Sequence, residues 1–162
     1  MKDEAWRRLE RAYEAEPGDQ ELLGRLIASA RRAGEPVSGR WLEEIVLPAR
    51  QFDSLLGLQV GAFLPGWQPK TVGRTPCGGG GLSVPASHCW WIQPDATRVI
   101  GLGDFAGLAT LCDVITRHEV PGLRTRRLVT TNEVLAQLGK CPSLVSLDLG
   151  ACEQVTGQGI KH

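Results

Sequence analysis

The last 22 residues of the chain, 141–162, read CPSLVSLDLGACEQVTGQGIKH. Leu147 and Leu149 stand two positions apart, so their side chains point to the same face of a short strand over 146–150. Cys152 follows where the chain turns away from the strand, a position that suits a small, weakly hydrogen-bonding side chain. This spacing predicts a strand that buries one apolar face and then reverses.

The residues after this strand indicate a short returning helix. Thr156 is a suitable N-cap, and Ile160 lies four positions later, where its side chain faces inwards. A single strand–turn–helix unit of this size cannot bury its own apolar face, so it requires stacked neighbours. The pattern therefore predicts one unit of a repeat array.

The spacing resembles that of the cysteine-containing leucine-rich repeat, C-x-x-L-x-x-L-x-L-x-x-C-x-x-[IV]-T-[DN]-x-G-[IL]. The matching positions are Cys141, Leu144, Leu147, Leu149, Cys152, Val155, Thr156, Gly159 and Ile160. The sequence departs from the pattern at Gly157, where the family has Asp or Asn. The resemblance implies an α/β solenoid that binds other proteins on its concave strand face.

An earlier, less regular unit precedes this one. Residues 132–140 predict a convex helix capped by Thr130 or Thr131, and Thr131 lies 25 residues before Thr156, a normal period for this class.

The strand of the earlier unit is harder to align. Matching Pro121-Gly122-Leu123 to Pro142-Ser143-Leu144 places Leu128 on Leu149. It also puts Arg126 on Leu147, a core position. The sequence here predicts either another register or a modified end repeat.

We expect recognition to use the concave strand positions of both units. These are Arg124, Thr125 and Arg127 in the first unit, and Ser146, Asp148 and Gly150 in the second. The repeat pattern expects a leucine two positions after Lys161, so we expect the chain to be a fragment of a longer repeat protein. An open terminal repeat predicts self-association, or fraying from Val155 onwards.

The N-terminal segment, 1–53, is predicted to be helical. Residues 1–50 hold nine of the 18 basic and ten of the 18 acidic residues. Apolar residues recur at helical spacing in three stretches, one of them with Trp6, Leu9 and Tyr13, and we expect Asp19 and Ser38 to cap the second and third helices. The first two helices form a hairpin, which fits either a tetratricopeptide-like unit or a helical cap.

The middle segment, 54–119, is predicted to be a small, largely antiparallel sheet that ends in a helix. Candidate strands lie at 56–64, 70–74, 82–84 and 88–93, and the helical period returns from Asp104. The helical segment and the strand region near Val84–Pro94 also resemble modules that precede leucine-rich repeats in bacterial proteins.

Together these patterns predict an α+β protein. A helical hairpin and a β-rich capping domain, 54–119, precede the first one or two units of a truncated leucine-rich repeat solenoid, 120–162. The predicted function is that of a non-catalytic protein-interaction scaffold. The partner is an unidentified protein.

Cysteine and histidine residues allow an alternative. Cys77, His88, Cys89, Cys112 and His118 lack the close ligand spacing of zinc sites, so we expect no metal and no cofactor. A Cys–His pair in the middle domain, around Cys89, Trp90 and His118, leaves open an enzyme of unknown type. A basic cluster of Arg117, Arg124, Arg126 and Arg127 fits a solvated face or a surface for an acidic partner.

The overall composition narrows the remaining classes. The net charge is zero, which argues against general binding to nucleic acid or to anionic membranes. No apolar run approaches the roughly 20 residues of a membrane-spanning helix. The N-terminus is charged and the five cysteines are scattered, so we expect reduced thiols and a cytoplasmic location.

Overall fold

The computed structural model describes residues 4–94, 105–125, 131–150 and 155–157. The chain forms two compact units, residues 1–47 and 48–162. Five helices and two open sheets lie in the described parts, so the mixed α+β class is confirmed. These described parts do not form a solenoid.

The first unit consists of three helices, α1 (Ala5–Ala15), α2 (Gln20–Arg32) and α3 (Gly39–Glu44). Their buried side chains form one core: Tyr13, Leu23, Leu26, Ile27, Ala30 and Trp41. Asp19 caps α2 as predicted, because its carboxylate accepts a hydrogen bond from the Leu22 N–H at 3.0 Å. Ser38 occupies the N-cap position of α3 without a side-chain hydrogen bond.

The described residues of the second unit form seven strands and two helices. In chain order they are β1 (Arg50–Ser54), β2 (Leu58–Leu64), β3 (Gln68–Thr75), β4 (Gly80–Val84), β5 (Cys89–Pro94), α4 (Phe105–Arg117), β6 (Gly122–Arg124), α5 (Asn132–Leu138) and β7 (Ser146–Asp148). Strands β1 and β4 form an antiparallel pair, and the other five form a sheet in the order β3-β2-β5-β6-β7.

A small, largely antiparallel sheet was predicted for residues 54–119, and the strands in that range, β2 to β5, do pair antiparallel, but they belong to two sheets. Strand β1 was not expected, and it takes β4 as its partner through register pairs from Arg50–Val84 to Ser54–Gly80. The predicted boundary after Asp53 therefore falls within β1. In the larger sheet only β3, β2 and β5 are antiparallel neighbours, while β6 and β7 add in parallel.

The parallel part of the sheet follows a strand–helix–strand pattern, with α4 between β5 and β6 and α5 between β6 and β7. Strands β6 and β7 pair Leu123 with Leu147, 24 positions further along the chain. Of the two alternatives left open for the earlier unit, this pairing supports another register, so the charged Arg126 does not have to occupy the position of Leu147. Backbone pairing of the buried Leu123 sets this register, and the local Pro-x-Leu similarity does not.

A second contact repeats the same offset. The Thr156 N–H donates to Asn132 Oδ1 at 3.1 Å, and Asn132 Nδ2 donates to Thr156 Oγ1 at 2.9 Å. These residues are also 24 positions apart. Thr131, the preceding residue, caps α5 through its side chain as predicted.

Candidate binding face

The five-stranded sheet has two chemically different faces, because successive side chains of a strand point to opposite sides. The strand register assigns a fully buried set of side chains to one side, here called the apolar face: Leu58, Val60, Ala62, Trp90, Ile92 and Leu123. The opposite side, here called the polar face, carries Gln59, Phe63, Cys89, Trp91, Gln93, Arg124, Ser146 and Asp148.

The helices of this unit belong to the apolar face. Both parallel crossovers proceed in the same direction, from β5 to β6 to β7, so crossovers of the usual hand place α4 and α5 on the same side of the sheet. Each helix carries a buried apolar stripe, represented by Leu111 and Ile115 in α4 and by Leu138 in α5. Within the described residues of this unit, no further helix is left to cover the polar face.

Trp91 forms the centre of the polar face. Its indole lies across Gly61 of the neighbouring strand, where an added Cβ would overlap the ring. A Cβ on Gly122 would come within 2.9 Å of the Trp91 Cβ. Arg124 covers the ring with its guanidinium, whose Cζ is 3.8 Å from the ring centroid. The absence of side chains at Gly61 and Gly122 thus leaves room for the indole, and Arg124 shields the ring from water.

Arg124 and Asp148 bring opposite charges together beside Trp91. They are register partners on β6 and β7, and Arg124 Nε lies 4.0 Å from Asp148 Oδ2. Both side chains remain partly exposed. Asp148 Oδ1 also accepts a hydrogen bond from the Gly150 N–H at 3.0 Å, which orients the carboxylate. Ser146, two residues before Asp148 on β7, is exposed on the same face.

The predicted binding residues do not all reach this surface. Arg124, Ser146 and Asp148 share the polar face, and Gly150 is exposed beside it. Thr125 was predicted to bind a partner, but it is buried, and both its N–H and its hydroxyl donate to the Asp148 carbonyl. It therefore serves strand pairing. Arg127 lies outside the described residues.

An aromatic group extends from the polar face at the β2–β3 turn. Phe63 lies 5.9 Å from Trp67, and the Trp67 indole stacks on the His88 imidazole with centroids 4.8 Å apart and ring planes within 4°. Trp67 is 44 % exposed and has a positive φ of 59°. Such backbone geometry is unfavourable for a large side chain, so the surrounding contacts have to hold it.

The repeat positions differ in burial. Cys141 is buried, while Leu144, Leu149 and Val155 are half-buried and Thr156 is exposed. Leu147 was predicted to be a core residue, but it is 37 % exposed, because β7 is the outermost strand of the described sheet and gives its side chain cover from one side. Cys152, Gly159 and Ile160 lie outside the described residues.

The structure separates the members of the Cys–His alternative. Cys89 points to the polar face, where burial raises the pKa of its thiol to about 11. The ring centroids of His118 and Phe52 are 4.8 Å apart, and the Phe52 ring contacts Trp90 of the apolar face. The sheet therefore stands between Cys89 and His118.

Among the remaining described cysteines, Cys112 lies beside Cys141. Burial, with a contribution from neighbouring Cys141, raises the pKa of Cys112 to about 12. No three His, Cys, Asp or Glu side chains of the described residues are grouped as metal ligands.

Three further residues of the polar face, Gln59, Trp91 and Gln93, were not predicted as binding residues. Gln59 and Gln93 are register partners, so their side chains are neighbours on this face. Alternation within the predicted strand 88–93 already separates Trp90 from Trp91. However, the sequence carries no signal for which of the two tryptophans faces the helices.

Comparisons of the chain with protein-family models, with curated proteins and with solved structures gave no match. Across the ranges that the structure describes, every helix is too short or too polar to cross a membrane.

Proposed function

We propose that this chain is a protein-interaction scaffold and that it binds its partner on the polar face. The observation that carries the proposal is the stack of Arg124 on Trp91, flanked by Asp148, on a sheet face that neither α4 nor α5 covers. Arginine is one of the side chains that most often anchor protein interfaces, and here the buried ring of Trp91 holds its guanidinium in place. The paired charges and the Gln59–Gln93 amides would supply orientation and hydrogen bonds to a protein segment.

We further propose that β6, α5 and β7 begin a leucine-rich repeat. The support is the 24-residue offset, which relates Leu123 to Leu147 in the strands and Asn132 to Thr156 at the helix ends. Two independent contacts with the same offset are what stacked repeats require. On this proposal the polar face corresponds to the concave face of the array, and the partner is a cytoplasmic protein.

Site-specific photocrosslinking tests the partner proposal. A photoreactive phenylalanine analogue replaces exposed Ser146 on the polar face and, as a matched control, exposed Asp113 on α4. We expect a defined crosslinked protein from position 146 that is absent from position 113. Crosslinks of equal yield and identity from both positions would contradict a binding surface on this face.

The affinity of the captured partner then tests the anchor. Arg124→Ala removes the guanidinium that covers Trp91, and a loss of affinity of about tenfold or more is expected for such a residue. Asp113→Ser, which removes a surface charge elsewhere, is the control and should bind like the original chain. An Arg124→Ala chain that folds and binds with unchanged affinity would refute the role of this stack.

A second copy of the chain is an additional candidate partner. Leu147 on the outermost described strand, β7, is 37 % exposed, and Val145 just before that strand is 45 % exposed. Exposed apolar residues at such a strand favour association. Sedimentation of the chain over a range of concentrations, compared with Leu147→Glu, tests this. An original chain that remains monomeric throughout rejects self-association.

A further inference from the structure

Four side chains meet where β1 passes the end of α4. Phe52 lies 5.5 Å from Trp90 in edge-to-face geometry and 4.8 Å from His118. Arg50 places its guanidinium carbon 5.6 Å from the Trp90 ring centroid, and its Nη1 donates to the His118 carbonyl at 2.9 Å. These contacts define a cluster of Arg50, Phe52, Trp90 and His118 on the side of the sheet opposite the polar face.

Three nitrogens of this cluster are buried without a hydrogen-bond partner among the described residues: Arg50 Nε, Trp90 Nε1 and His118 Nε2. Trp90 is only 1 % exposed. Asp53 Oδ1 lies 3.4 Å from His118 Nε2 but outside hydrogen-bond geometry, and the same carboxylate pairs with Arg117 at 3.2 Å. More than nine in ten buried polar groups have a partner in folded proteins, so three in one cluster require an explanation.

The charge of the cluster points to the chemistry of the missing partner. Arg50 is half-buried, and within the described residues no carboxylate lies at ion-pair distance from its guanidinium. A partly desolvated cation is costly without a counter-charge. Arg50 Nε and Trp90 Nε1 can only donate, and His118 Nε2 donates whenever that nitrogen carries a hydrogen, so the group that satisfies them must accept hydrogen bonds.

We infer that Arg50, Trp90 and His118 form a binding site for a small oxyanion, a carboxylate or a phosphate group. Its oxygens accept hydrogen bonds from the indole and the guanidinium, and its charge compensates Arg50. The burial of Trp90 restricts the ligand to a small group or to the tip of a larger molecule. This site uses the apolar side of the sheet, so it is independent of the partner surface proposed above.

The indole N–H signals of the five tryptophans report on this site in a ¹H–¹⁵N spectrum. Trp90→Phe and Trp91→Phe identify the two relevant signals. Sodium phosphate and sodium acetate are titrated separately, with sodium chloride holding the ionic strength constant. We expect the Trp90 signal to move downfield and to saturate with at least one oxyanion, while the Trp91 signal stays in place. The two titrations distinguish a phosphate site from a carboxylate site.

Two arginine variants provide a matched comparison. Arg50→Gln removes the unpaired cation and should weaken binding by about tenfold or more. Arg117→Gln removes an exposed cation that Asp53 already pairs, and should change affinity by no more than about twofold, as for a screened surface charge. The absence of a saturable Trp90 shift with both anions would overturn the inference, as would an unchanged shift in Arg50→Gln. A crystal structure grown in phosphate or acetate that shows only a water molecule on Trp90 Nε1 would also overturn it.

Discussion

Leu123 and Leu147 occupy the same register position on β6 and β7, yet their environments differ sharply. Leu123 is 1 % exposed and Leu147 is 37 % exposed. Replacing a fully buried leucine by alanine costs about 2–5 kcal/mol, because apolar burial is lost and a cavity remains. We expect this cost for Leu123→Ala. Leu147→Ala should cost only about 1 kcal/mol, since more than a third of the residue is already in water and a partly open site leaves no closed cavity.

Urea unfolding followed by far-UV circular dichroism measures both costs. The comparison is valid where the dependence of unfolding free energy on urea is the same in both variants and in the original chain. Ser146→Ala, which changes the exposed residue next to Leu147 on β7, is the control and should stay within about 0.5 kcal/mol.

Equal costs for the two leucines would refute the reasoning. That result would mean that Leu147 is covered as fully as Leu123, so that β7 is not the outer strand. A larger cost for Ser146→Ala than for Leu147→Ala would instead mean that the strand register is shifted by one residue.

Three further predictions concern thiols, glycines and pH. At pH 8 a thiol reagent should label the exposed Cys77 rapidly. It should label Cys89 and Cys112 slowly, because burial raises the pKa values of these two thiols to about 11 and 12. Rapid labelling of Cys89 would contradict its burial. Gly61→Ala should lower the free energy of unfolding by about 1–3 kcal/mol, because the added methyl group overlaps the Trp91 ring. Gly24→Ala, in open space within α2, should raise it by about 0.5–1 kcal/mol. An unchanged unfolding free energy for Gly61→Ala would mean that the Trp91 ring lies elsewhere. Hydrogen bonds from Tyr13 and Arg40 lower the pKa of Glu44, so the stability that Glu44 contributes is present above its unfolded pKa of about 4.3 and is lost as the pH falls through the lower folded value. Glu44→Gln should therefore make the unfolding free energy depend less on pH in that range. An unchanged pH dependence would contradict the hydrogen-bond network.

The helices show how far local sequence information reaches. The helical period and the caps at Asp19 and Thr131 predicted α1, α2 and α5 closely, because helix hydrogen bonds and capping contacts join residues three or four positions apart. The strand within 146–150 was also predicted, from the two-residue spacing of its leucines.

Strand partners were predicted less well. Strand β1 was missed, and its partner β4 lies about 30 residues away, with Arg50 opposite Val84. The register of β6 on β7 was left open, because a short similarity around Leu144 suggested an offset that the buried Leu123 does not adopt. The spacing of residues along the chain does not predict which distant strands pair, because the pairing depends on surfaces that exist only after both segments have folded.

For the candidate sites too, the sequence predicted positions along a strand but not contacts between distant segments. Alternation along the chain is enough to place Arg124 and Asp148 on strand positions and to separate Trp90 from Trp91. It does not say which tryptophan faces the helices, that Gly61 leaves room for the indole of Trp91, or that Arg50 meets Trp90 and His118 across 40 and 68 positions of sequence. Hydrogen bonding within a segment is a local property of the residues, whereas the face that a sheet buries depends on which helices pack against it.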